Sequence, residues 1–191
     1  MLPSFNGSGV LPPFLGDGPD ERQAASPYKA SMSELVVHFG YTPERRRILR
    51  GLLDFRHALR SVAIVTGFQI IDGSFLEDCE RTRSRPPSDI DLVTFSHLPV
   101  PAQEATAFLG EHIALFDTAA VKQAYACDAY FVDLAKDARY VVQDTIYWYG
   151  LFSHQRDTFM WKGLVTIPML SDDNQALIEL EKLEVQDAQA A

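Results

Sequence analysis

Asp89-Ile90-Asp91, followed by Leu92, Val93 and Phe95, is the stretch that most limits what this chain can fold into. The apolar residues read as a β-strand over residues 89–95, and alternation puts residues i and i+2 of a strand on one face. Asp89 and Asp91 therefore point one way, with Ile90 and Leu92 pointing the other. Two carboxylates about 7 Å apart along a strand make a poor core and a good seat for a hard divalent cation. An earlier apolar run (Phe68, Ile70, Ile71) reads as β-structure over residues 62–72 and ends in Asp72-Gly73-Ser74. Glycine lets the backbone approach a ligand closely. A helix starting after Ser74 would turn its free N–H groups and positive dipole end toward a phosphate. Ser74 and Glu77 also fit the spacing of a capping box, which needs no ligand.

A third acid extends the pattern. Asp133 lies in the apolar run of residues 130–134, read as another central strand, where an unpaired charge is costly. If it converges with Asp89 and Asp91, like charges about 4 Å apart repel by roughly 4 kcal/mol at an effective dielectric near 20. Protons or cations must offset them, and magnesium, which takes a few carboxylates plus substrate phosphates, suits the role.

Gly73-Ser74, then Ser88-Asp89-Ile90-Asp91-Leu92, then Asp133 together resemble the signature of the polymerase-β-type nucleotidyltransferase superfamily. The likeness covers residues 67–134 and is greatest to its minimal nucleotidyltransferases; a bacterial nucleotidyltransferase-like group with a Gly-Ser-Phe turn is similar too. The resemblance implies an α+β domain in which helices flank a nucleotidyltransferase-like mixed sheet. It implies two Mg2+ ions held by Asp89, Asp91 and Asp133, with Asp133 also activating the attacking hydroxyl. Gly73 and Ser74 would position the β- and γ-phosphates of a nucleoside triphosphate. The expected reaction transfers a nucleoside monophosphate to a hydroxyl of a protein, RNA or small molecule, in some relatives within a toxin–antitoxin or defence setting. A protein partner of the toxin kind, or a role as a binding module without turnover, fits the same likeness. Phe75-Leu76-Glu77-Asp78 stands where the minimal enzymes carry a small residue and Arg-Gly, so Arg81, Arg83 and Arg85 are candidates for the phosphate contacts; as a mobile, solvated loop they would have no such role.

The rest of the chain bounds this picture. Its 191 residues suit one domain: an extended arm over residues 1–32, parts of which Leu11, Phe14 and Tyr28 would pack on the body, a body over 33–185 and a frayed tail over 186–191. Thr42-Pro43-Glu44 starts a helix reaching about Arg60, and Ser171 caps a last helix through about Lys182. Arg45, Arg46, Arg47 and Arg50 read as a solvated face, or one turned toward phosphate. Lys162 and Arg156 flank an aromatic-rich segment (Tyr147, Trp148, Tyr149, Phe152, Trp161) that packs as core or stacks a base. A net charge of −9 argues against broad, nonspecific nucleic-acid binding. Cys79 and Cys127 lack metal or disulfide spacing, although the arginines near Cys79 could lower its pKa. With no secretory pattern and no long apolar run, the expected setting is cytoplasmic.

Overall fold

The computed structural model describes residues 2–18 and 20–190; Met1, Pro19 and Ala191, parts of the expected arm and tail, lie outside them. In chain order the elements are β1 (Tyr28–Lys29), α1 (Met32–Phe39), α2 (Pro43–Ser61), β2 (Phe68–Asp72), α3 (Cys79–Arg83), β3 (Ile90–Ser96), α4 (Ala105–Glu111), α5 (Thr118–Tyr125), β4 (Cys127–Asp133), α6 (Ala138–Phe152), β5 (Val165–Pro168) and α7 (Asp173–Ala190). The strands form one mixed sheet in the order β1-β5-β2-β3-β4. β2 runs antiparallel to both neighbours, whereas β3–β4 and β1–β5 are parallel. The fold is α+β, as expected.

Strand alternation splits the core in two. Ile71, Leu92, Ala129 and Val165 face the main helical layer, where they join Leu35, Leu49, Leu52 and Leu180. Ile70, Val93, Phe95 and Val132 face the other way into a smaller cluster closed by Phe152 and Leu164, with Trp148 and Tyr149 of α6 packed on it. The second face is covered at only one end, and this leaves room for a cleft at the other.

Local chemistry explains the helix starts. Ser31 and Glu34 form a capping box on α1, which stops at Gly40. The Thr42 side chain accepts from Arg45 N, and Pro43 opens α2.

Three expectations are corrected. The N-terminal segment is no separate arm: Leu11 and Tyr28 are buried against the body, as expected of them, and Leu2 and Val10 are buried too. Tyr28 pairs with Val165 in the sheet and its hydroxyl donates to Pro12 O at 2.6 Å. Gly163 N donates to Leu11 O, and Val10 bridges to Glu77. Secondly, Arg45 and Arg46 are buried. The planar fork of Arg45 donates to Phe75 O (2.7 Å), Glu77 O (2.6 Å) and the Glu80 carboxylate, and Arg46 donates to Gly40 O. A guanidinium is buried where carbonyls lack other donors, which a run of charges in the sequence does not reveal. Arg47 stays exposed and Arg50 pairs with Glu184. Thirdly, α7 continues to Ala190, so residues 186–190 are helical. Among the described residues, no helix is long and apolar enough to cross a membrane.

Candidate functional site

Sheet register builds the site. Asp72, the last residue of β2, pairs with Asp91 of β3, which pairs in turn with Asp128 of β4. Residues paired across neighbouring strands share a face, and adjacent strands lie about 4.8 Å apart. Three carboxylates therefore stand in a row across three strands at one end of the sheet, with Asp89 just before β3 beside them. Lys122, from the last turn of α5, reaches in: its Nζ lies 2.7 Å from Asp89 Oδ2 and 3.0 Å from Asp128 Oδ2. Asp128 Oδ1 is buried without a hydrogen-bond partner.

Asp133 does not join this row. It pairs with Ser96, at the far end of β3. Five residues separate it from Asp128, roughly 16 Å along the strand, and the odd offset turns it to the opposite face. Its Oδ1 accepts from Ala135 N at 2.9 Å, a local turn contact. The expected convergence of Asp133 with Asp89 and Asp91 is thus overturned, and Asp128 stands where it was placed. The cause is the strand start: β4 begins at Cys127, upstream of the apolar run that marked it in the sequence.

The charges of the row are partly offset by protons. Burial, followed by the charges of Asp72, Asp89 and Asp128, pushes the Asp91 carboxyl up to about 7. Gly73 presses directly on Asp91. It sits at φ 85°, and a Cβ there would overlap Asp91 Oδ2, so conformation and space both require glycine. Ser74 opens only a single 3-10 turn, Ser74–Leu76, without a side-chain cap. The expected helix start and the capping box are both missing, since Glu77 turns inward instead. Its carboxylate accepts from Lys162 (3.0 Å), Arg83 (2.7 Å) and Gln155 (2.9 Å).

Lys162 is only 2 % exposed. Its ammonium donates to Gly73 O at 3.2 Å and lies 2.8 Å from Asp72 Oδ1. Burial alone would lower its pKa, but Asp72 and Glu77 outweigh that and hold it charged. Glu77 is pushed up by burial but held below the usual range mainly by Lys162, whereas for Asp72 burial wins and its carboxyl is raised. Lys162 thus ties the Gly-Ser turn to the acid row.

These groups line a cleft of about 940 Å3. Its lining also includes the polar side chains of Arg83, Arg85, Arg156 and Ser74 and the aromatic rings of Tyr130, Phe152 and Phe159. Arg81 turns away to Asp78 Oδ2 (2.7 Å) and Gly7 O, so the loop arginines divide. Of the aromatic segment, Trp148 packs between Tyr130 and Phe152 at centroid distances of 4.4 and 5.3 Å, and Phe152 lines the cleft. A second hollow of about 600 Å3 opens beyond Asp89 and Lys122 toward Arg47, Arg50 and Asp54. Cys79 is no activated thiol: burial, the main cause, raises its pKa, and its Sγ donates to Ser74 O.

Among the described residues, no group of three or more acidic, histidine or cysteine side chains is gathered closely enough to hold a metal ion as it stands. Lys122 stands between two of the acids. The donor set nevertheless fits magnesium: it is all carboxylate oxygen, with one buried oxygen lacking a partner. A protein-family model, DUF6932, described as a family of unknown function, matches residues 3–168. No curated protein and no solved structure matches the chain.

Proposed function

The chain belongs to that family, and from the geometry of the cleft we propose a magnesium-dependent nucleotidyltransferase, moving a nucleoside monophosphate from a nucleoside triphosphate onto a hydroxyl. The observation that carries this reading is the register that sets Asp91 and Asp128 side by side, with Asp89 adjacent and the Gly73-Ser74 turn against Asp91. Asp89, Asp91 and Asp128 would hold the metal, which when bound supplies positive charge to the attacking and leaving oxygens of an in-line displacement.

The chain's own groups do the rest. Asp128, with its free Oδ1, is placed to take the proton of the incoming hydroxyl. Ser74, Arg83 and Arg85 line the cleft and offer donors to a triphosphate. Tyr130 and Phe159 offer aromatic faces for a base. Lys162 keeps the turn and Asp72 fixed, so positioning is supplied in advance. A protein, RNA or small molecule could each present the acceptor hydroxyl.

The test is incubation with labelled triphosphates, magnesium and cell extract. Label transfer that disappears in Asp91→Asn and Asp128→Asn supports catalysis. A second reading, nucleotide binding without turnover, is favoured by the Lys122 contact that closes the acid pair. It prevails if no nucleotide transfers label while the triphosphate still shifts the melting temperature.

A further inference from the structure

We infer that Lys122 is a tethered cation occupying the metal position of the resting protein, and that metal loading must displace it. The inference rests on the nucleotidyltransferase reading, because it concerns the same carboxylates. Three observations carry it. The ammonium bridges Asp89 Oδ2 and Asp128 Oδ2 at 2.7 and 3.0 Å, the two acids that flank Asp91. A divalent ion shared by those carboxylates would need the same space. The Lys122 side chain is 48 % exposed on a flexible stem, so it is not locked in place as Lys162 is. Finally, it lines both the main cleft and the hollow beyond, where Asp54 offers a carboxylate to receive it.

The ammonium and the ion compete for one site. With Lys122 in place the acids hold together without metal, and their repulsion is reduced. When a divalent ion enters, the stem swings toward the second hollow and the two carboxylates turn to the ion. Magnesium concentration then sets the fraction of molecules with an open site, an internal threshold against loading at low ion levels. Chemically, the device resembles a salt bridge broken by a better cation.

Two measurements on the full chain test this. In the first, Mn2+ alone is titrated against wild type, Lys122→Met, Lys122→Arg and Asp91→Asn, with free ion read by electron paramagnetic resonance. Removing the competing charge is expected to tighten binding about tenfold in Lys122→Met, a factor equal to a single logarithmic step in affinity. Lys122→Arg keeps the cation and is expected to remain within about twofold of wild type. Equal or weaker binding by Lys122→Met overturns the inference, while loss of binding in Asp91→Asn leaves the metal site itself standing. Absence of Mn2+ binding in every form overturns both the inference and the metal-dependent reading. In the second, the lysine ammonium resonance missing from Lys122→Met is followed by 15N NMR as Mg2+ is added. Its loss or shift at saturation supports displacement, and an unchanged signal refutes it.

Discussion

Replacing Asp91 with asparagine should stabilise the metal-free protein above neutral pH. Burial, then the charges of Asp72, Asp89 and Asp128, lifts this carboxyl from 3.8 to about 7. A carboxyl whose folded pKa exceeds its unfolded value binds its proton more tightly in the folded state. At about pH 3 and below both states are protonated and the charge costs nothing; the cost grows as pH rises through the unfolded pKa and levels off above the folded one. Roughly three pKa steps at 1.36 kcal/mol each give an upper bound of ~4 kcal/mol. Protons are shared across the row, so neighbouring acids absorb part of the change, and about half, ~2 kcal/mol, is the expected gain near pH 8. For a chain of 191 residues that is a rise of roughly 4–8 °C in melting temperature. The assay is thermal melting of both proteins in a metal chelator across the range from about pH 3 to 8. The difference should vanish at the acid end and reach its plateau above neutrality. Destabilisation by Asp91→Asn at the alkaline end, or a difference independent of pH, would refute the assignment of a buried, charge-crowded carboxyl.

Two further substitutions test the frame around it. Lys162→Met leaves Asp72 and Glu77 buried without their shared cation, and urea unfolding should show a loss of about 3–5 kcal/mol. Asp133→Asn touches only a turn contact on the opposite face; it should cost no more than about 1 kcal/mol and leave Mn2+ affinity and label transfer unchanged.

Part of the site is written in consecutive residues and part in strand pairing, and only the first kind is legible before folding. Asp89-Ile90-Asp91 and Gly73-Ser74 are local patterns, and both line the cleft. Asp128 is not, because a single acid between Cys127 and Ala129 reads like any outward-facing strand position; it enters the row only through its parallel pairing with Asp91. Asp133 sat in the more apolar run and drew attention there for a sound reason, the cost of burying a charge, but the turn after β4 resolves that cost. The helix boundaries of α1 and α2 were readable because caps act within a few residues. The burial of Arg45 was not, since its acceptors are carbonyls 30 and 32 residues away. Arg56 is the same case: a buried guanidinium that donates to Asp173, Gln69 and two backbone carbonyls from distant parts of the chain. Lys162 was named for its aromatic neighbours, whereas its structural partners are Asp72, Glu77 and Gly73.

The position of β5 between β1 and β2 also makes the sheet depend on distant parts of the chain. β2, β3 and β4 all lie within residues 68–133, so the row of Asp72, Asp91 and Asp128 is built from one continuous stretch of chain. Lys162 and β5 lie beyond that stretch, and β1, first in the chain, joins the sheet at its edge through β5. Domains that close through such distant pairings pay the loop entropy before the contacts form and fold slowly for it. The acid row therefore draws one cation, Lys122, from within the stretch that carries its own strands, and the other, Lys162, from beyond it.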